Sequence, residues 1–259
     1  MRIPLYQIDA FSDRRFAGNP AAVCLLPEPL PDELLQAVAA ENNLSETAFL
    51  LPRGQDYELR WFTPSVEVDL CGHATLAAAW AVFRYWQPAL DEVRFHTRSG
   101  LLTVRRRGEW LEMDFPARPA APAQPPPGLI EALGLPPAEV WKARDYMAVY
   151  PSEDQVRELR PDPGALARVE MFAVIVTAPG RQADFVSRFF APAAGVPEDP
   201  VTGSAHCTLA PYWAARLGKR TLHARQLSRR GGELVCEVRG ERVLLRGQAA
   251  LYLEGAILL

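Results

Sequence analysis

Apolar and polar positions alternate along Leu5–Phe11 and again along Ala21–Leu26, the period-two pattern of strands, with a turn near Gly18-Asn19-Pro20. Pro31-Asp32-Glu33 opens a helix. Proline suits a first helical turn, and the acidic pair complements the positive end of the dipole. The helix is expected to run to about Glu41, with Asn42-Asn43 suited to its exit. Glu46–Leu51 is apolar on both faces, hence a buried strand, and Tyr57–Phe62 alternates as another until Thr63-Pro64-Ser65 breaks it. Val66–Leu70 leads into Cys71-Gly72-His73. Ala74–Trp86 is apolar almost all round, and a helix without a polar face belongs in the middle of a core. Short strands at Val93–His96, Leu101–Arg105 and Trp110–Phe115 suggest a sheet curled around it.

The second half repeats the plan loosely. Leu129–Leu133 reads as a short helix, and Asp145–Tyr150 and Val169–Thr177 as strands, while Asp184–Phe189 is ambiguous. Glu198-Asp199-Pro200-Val201-Thr202-Gly203-Ser204 then leads into a second apolar helix ending at Gly218-Lys219. Pro211 removes one backbone bond from that helix and is expected to kink it. Leu234–Val238, Val243–Arg246 and Ala249–Leu258 close the chain as strands.

The two apolar helices say nearly the same thing. His73, Thr75, Leu76, Ala77 and Trp80 recur as His206, Thr208, Leu209, Ala210 and Trp213, each copy following a glycine, Gly72 or Gly203. A repeat near half the length of a 259-residue chain predicts an α+β fold of two similar lobes with an internal pseudo-twofold. Each lobe is expected to be a strand shell around a core helix. The first lobe spans residues 1–117 and the second 128–248, with the Pro/Ala-rich segment 116–128 as linker. The last strand, about 249–259, is expected to return to the first lobe. Two such lobes are expected to meet at a cleft, where a pair of helix N-termini would make a site for a carboxylate.

Composition narrows the function classes. A hydrophobic fraction of 49% with 23% charged residues describes an ordinary globular chain, and a net charge of −3 gives no electrostatic ground for a nucleic-acid or anionic-membrane partner. The basic runs Arg105–Arg107 and Arg229–Arg230 read as solvated strand ends. No apolar run is long enough to span a bilayer. Met1–Ala10 alternates like a strand and lacks the order of a leader, so a cytoplasmic location with reduced thiols is expected. The cysteines form no Cys-x-x-Cys pair and the histidines no i, i+4 pair, so no metal site is expected. No glycine-rich phosphate loop is present.

Glu46 begins the buried strand and shares its period-two face with Ala48 and Leu50. Desolvation on such a face would raise its pKa toward the range useful for general acid–base catalysis. The competing reading is a strand-end glutamate turned outward or paired with an arginine. Gly72, His73 and Ala74 would offer unpaired amides at a helix start, and Cys71 before them is expected to have a lowered pKa. His73 reads equally as a helix-start residue bonded to a carbonyl. In the second half, Gly203 allows close backbone approach and Asp199 accepts from an amine, a hydroxyl or its own turn. Ser204 either caps the helix or holds a carboxylate. His206, one turn into the helix, reads as structural.

Four motifs in order, Asp9-Ala10-Phe11 with Gly18-Asn19-Pro20, Asn43-Leu44-Ser45-Glu46-Thr47-Ala48-Phe49, Cys71-Gly72-His73-Ala74-Thr75 and Glu198-Asp199-Pro200-Val201-Thr202-Gly203-Ser204-Ala205-His206, resemble the phenazine-biosynthesis PhzF-like family. The resemblance implies the diaminopimelate epimerase-type fold, two similar lobes with β-barrel-like shells around central helices. It also implies a cofactor-independent isomerase, often a homodimer, acting on a small carboxylate-bearing substrate. In the phenazine enzyme that substrate is trans-2,3-dihydro-3-hydroxyanthranilate. The position matching the family's proton-moving glutamate is Glu46, and those matching its substrate contacts are His73, Asp199 and Ser204, with Gly72 and Gly203 as backbone donors. Related racemases use two cysteines, each before a glycine. Here Cys71-Gly72 keeps the first and Thr202-Gly203 replaces the second, which disfavours two-base racemisation. A racemase or epimerase using Cys71, and a non-enzymatic binding protein on the same fold, are the alternative readings.

Overall fold

The computed structural model covers residues 1–259. Its first elements are β1 (Arg2–Ala10), β2 (Asn19–Leu25), α1 (Asp32–Asn42), β3 (Glu46–Arg53), β4 (Asp56–Phe62), β5 (Glu67–Val68), α2 (Gly72–Ala81), β6 (Glu92–Thr97), β7 (Gly100–Arg107) and β8 (Trp110–Pro116). They continue as β9 (Ala121–Pro122), α3 (Leu129–Leu133), β10 (Glu139–Lys142), β11 (Tyr146–Val149), α4 (Glu153–Glu158), α5 (Pro163–Leu166), β12 (Val174–Pro179), β13 (Phe185–Ala191) and β14 (Val196–Asp199). The chain finishes with α6 (Gly203–Leu217), β15 (Thr221–Gln226), β16 (Gly232–Arg239), β17 (Arg242–Gly247) and β18 (Ala249–Leu258). Two compact units result, Met1–Asp114 with Arg246–Leu259, and Phe115–Leu245.

In the first unit, α2 is buried on every side apart from Gly72 and Trp80, which are half-buried, as its nearly all-apolar sequence requires. It starts at Gly72, two residues earlier than expected, and passes at Val82–Trp86 into a π-helical turn instead of continuing as α-helix. Around it the strands pair in the order β18–β1–β2–β3–β4–β6–β7–β8. The β2–β3 and β4–β6 pairings are parallel and the others antiparallel. Helix α1 makes the crossover from β2 to β3 and buries Leu35, Val38 and Ala39 in a cluster with Ile3, Phe49 and Phe62. It stops where Asn43 enters the left-handed region at φ 49° and its N–H turns back to the Ala39 carbonyl.

The second unit, taken by itself, has the same pairing logic. From β1 to β7 the sequence of pairings is antiparallel, parallel, antiparallel, parallel, antiparallel. From β10 to β16 the same sequence recurs, through β10–β11, β11–β12, β12–β13, β13–β15 and β15–β16. In both units a short strand and a buried helix, β5 with α2 or β14 with α6, fill the second crossover. The repeat seen in the two helix sequences is thus the trace of a repeated topology, and the fold is the α+β arrangement of two similarly built units that the sequence predicts.

Some expectations need correction. Val169–Thr177 is not one strand: β12 begins at Val174, and Arg168, Val169 and Met171 donate backbone bonds within a turn that follows α5. Asp162 caps the start of α5 through Gly164 and Ala165, and at its other end Val169 N–H bonds back to Leu166 O, so the first residues of the apolar run close a helix end instead of joining the sheet. The ambiguous Asp184–Phe189 segment is β13, Phe185–Ala191, buried at every position and so without alternation to read. Strands β10 and β15 and helix α4 had no sequence assignment. Helix α6 runs unbroken through Pro211 and exits at Gly218, φ 64°. The segment 116–128 lies in the second unit, where Ala117 donates to Glu241 O, Arg118 to Cys207 O, and β9 pairs with β10.

Candidate functional site

In the first unit, three elements converge on one imidazole. Strands β2 and β3 run parallel with Ala21 opposite Glu46, so Asn19 and Glu46 share a sheet face, the one α2 packs against. His73, in the first turn of α2, is buried there with a side chain 7% exposed, beside Glu46 at 17%. His73 Nε2 lies 3.1 Å from Glu46 Oε2. The separation suits an ion pair, but the ring N–H does not aim at the oxygen, and both atoms are buried without an aligned hydrogen-bond partner. On the other side of the ring, Nδ1 meets Asn19 Nδ2 at 3.3 Å and Cys71 Sγ at 3.4 Å.

Burial works against a charge on His73, but the Cys71 sulfur and the Glu46 carboxylate outweigh it and lift its pKa well above the ordinary imidazole value. Cys71 behaves opposite to expectation: burial, reinforced by Glu46, raises its pKa, and the helix N-terminus does not compensate. It is a thiol facing a ring nitrogen. Glu46, Cys71 and His73 could each offer a ligand atom within 4.8 Å of one another. Glu46 meets the Nε2 end of the ring and Cys71 the Nδ1 end. Cys71 occupies the N-cap of α2 without a side-chain cap hydrogen bond, leaving the Gly72 and His73 amides uncapped.

In the second unit, Asp199 ends β14 and Thr202 forms the N-cap of α6. The Thr202 hydroxyl donates to Asp199 Oδ2. Gln226 at the end of β15, absent from the sequence-based candidates, braces this loop. Its Nε2 donates to Asp199 O at 2.8 Å and to Thr202 Oγ1 at 3.2 Å, and its Oε1 accepts from Thr202 N at 2.9 Å. Ser228 Oγ donates to Pro200 O at 2.7 Å. Beside the loop, Arg188 forks onto Glu198 at 2.7 and 3.0 Å and donates to the carbonyls of Val156 and Leu159. Ser204, in the first turn beside Gly203, makes no cap; that position belongs to Thr202. His206 Nδ1–H donates to Thr202 O at 2.8 Å, and burial pushes its pKa down to about 4, so it is a neutral structural brace.

The structure thus brings Glu46, Cys71, Gly72 and His73 together in one unit, and Asp199, Thr202, Gly203 and Ser204 in the other. Sequence reasoning missed Asn19 and Gln226. Both are polar residues buried almost completely, and no periodicity distinguishes such a residue from an exposed one. No helix of the chain is long and apolar enough to cross a membrane.

Residues 8–255 match the profile of a family described as phenazine biosynthesis-like protein. An uncharacterised isomerase of Pseudomonas aeruginosa is 56% identical over 257 residues, 99% of either chain. A crystal structure of a PhzF-family phenazine biosynthesis protein from Enterococcus faecalis superposes with a TM-score of 0.97 at 46% identity, over 100% of both chains. A hydroxyproline epimerase from Agrobacterium vitis, 12% identical, shares the fold at a TM-score of 0.60, over 99% of this chain and 92% of that one.

Proposed function

Because the chain belongs to the phenazine biosynthesis-like (PhzF) family and its near relatives are isomerases by name, we propose that it is a proton-shifting isomerase of a small carboxylate-bearing molecule. Glu46 takes a proton from a carbon beside an activating π-system and returns it to another carbon. Such a step leaves the molecular formula unchanged and needs no redox equivalent, so the reading requires no cofactor. The observation that carries it is the pair of buried, unaligned atoms, Glu46 Oε2 and His73 Nε2, 3.1 Å apart. Each wants a partner that the chain does not supply, and a substrate C–H and a developing oxyanion supply both.

The remaining candidates take supporting roles. The uncapped amides of Gly72 and His73 favour negative charge, and the Gly203-Ser204 turn is suited to hold a carboxylate. Asp199 orients a hydroxyl or amine. A racemase mechanism on Cys71 finds no support in a thiol whose pKa is raised. The reading also carries a cytoplasmic homodimer with a small-molecule substrate as its only other partner. The test is NMR in D₂O with trans-2,3-dihydro-3-hydroxyanthranilate and then a panel of small carboxylates, run beside Glu46→Gln. Deuterium entering the substrate with wild-type protein alone supports the assignment. Exchange that persists in Glu46→Gln removes it.

A further inference from the structure

The His73 ring is held from the side away from Glu46 by Asn19, a residue with 0% exposure at the first position of β2. The amide nitrogen of Asn19 is a donor only, and it faces Nδ1 at 3.3 Å. Cys71 adds a second group at the same nitrogen, its thiol 3.4 Å away. Facing the Asn19 N–H, which can only donate, Nδ1 of the uncharged ring is the accepting nitrogen, while the sulfur can donate or accept and follows whichever form Asn19 selects. In the neutral ring that leaves the exchangeable proton on Nε2, the nitrogen that faces Glu46.

We propose that Asn19 is a positioning residue: its buried amide selects the Nε2–H form of His73, so that His73 and Glu46 present one shared proton to the reacting molecule. The main-chain setting suits the task. Asn19 is fixed in the sheet opposite Ala10, and the next residue, Pro20, stiffens the strand. The groups facing the ring are Asn19 from β2, Glu46 from β3 and Cys71 from the cap of α2, and among them Asn19 is the strongest neutral donor. A second proton arriving at Nδ1 makes the Asn19 contact repulsive until the amide turns and offers its oxygen. Asn19 therefore couples the protonation of the far side of the ring to the state of the near side.

This inference rests on the acid–base reading of Glu46 and His73, but its test does not need a substrate. The protein has four histidines, so a long-range ¹H–¹⁵N spectrum of ¹⁵N-histidine-labelled protein is simple, and His73→Gln assigns the His73 signals by their loss. Across a pH series the neutral His73 ring is expected to carry its proton on Nε2. Asn19→Leu removes the donor, and the neutral ring becomes a mixture of both forms. Asn19→Asp offers an acceptor instead, moving the proton toward Nδ1 and the His73 titration to higher pH. If Asn19→Leu does not fold, Asn19→Asp decides alone. The inference is overturned by a wild-type ring protonated on Nδ1, by one doubly protonated at every pH where the protein is folded, or by variants that leave form and titration unchanged. Failure here leaves the isomerase assignment standing, and failure of deuterium exchange leaves the tautomer result standing.

Discussion

His73 Nε2 and Glu46 Oε2 come within 3.1 Å and still do not make an aligned hydrogen bond. A carboxylate and an imidazole in a shared burial would ordinarily turn to satisfy each other, since an unmade bond there costs about 1–3 kcal/mol. Their misalignment is what a third group would exploit. Glu46→Gln keeps the shape of the side chain and removes its basicity. Turnover is expected to fall by about 10²–10⁴, the usual contribution of a positioned general base. The variant should remain folded but unfold at a lower temperature than wild type near pH 6, where it leaves the buried His73 without its carboxylate, and near-normal turnover would remove Glu46 from the chemistry.

Ser204 offers a cleaner separation of binding from folding. Its hydroxyl serves no cap, because Thr202 occupies that position and spends its own hydroxyl on Asp199. Ser204→Ala is expected to leave chemical denaturation unchanged while raising KM roughly 10-fold or more, the worth of a hydrogen bond to a charged group. An unchanged KM, measured on whichever carboxylate proves to be turned over, would exclude the hydroxyl from binding.

Gln226→Ala should behave in the opposite way. Removing the amide orphans the buried Thr202 N–H and releases the Asp199 carbonyl, both of which it now satisfies. A loss of about 1–3 kcal/mol in urea unfolding is expected. Stability within a few tenths of wild type would mean that the loop holds its own shape.

The two histidines of the repeat give stability opposite dependences on pH. His206 has a folded pKa of about 4, below its unfolded value, so the unfolded chain binds more protons between the two. Stability is full at neutral pH and falls as pH drops from about 6.5 toward 4, by roughly 3 kcal/mol. His206→Asn should flatten that limb of a pH-dependent denaturation series. His73 has a folded pKa raised well above its unfolded value, so its contribution is full below about pH 6.5 and is lost as pH rises through the folded value. Relative to wild type, His73→Gln should therefore lose more stability at pH 6 than in alkaline solution. A difference independent of pH would contradict the ion pair with Glu46.

Much of this was legible in the chain. The helix α2 announced itself by having no polar face, and the His-x-Thr-Leu-Ala-x-x-Trp repeat announced the doubled topology. Glu46, His73, Asp199 and Ser204 stood in motifs whose spacing survives in one dimension. The braces did not. Asn19 and Gln226 act through partners 54 and 24 residues away, and only the pairing of β2 with β3, or of β13 with β15, brings them to the site. The lowered thiol pKa expected at Cys71 failed for a related reason: a helix start is a local feature, whereas complete burial is set by the strands around it. The turn at Val169 was misread because a hydrophobic run serves equally in a strand or behind a helix end.

The sheet of the first unit is stitched by a strand made nearly last. β1 pairs with β2 on one side and with β18 on the other, and Gly247, just before β18, has no space for a side chain against Phe11 and Leu76, whose Cδ1 a Cβ would meet at 2.9 Å. On the ribosome, the first unit therefore emerges with an open sheet edge and an uncovered flank of its central helix, and it waits through the synthesis of the whole second unit. The second unit can mature in a single uninterrupted stretch, but the first cannot. Released chains truncated after Leu245 should hold a protease-resistant second unit beside a first one that is still nicked. The surroundings of Glu46 and His73 would then be complete only after β18 has joined β1, long after both residues were made.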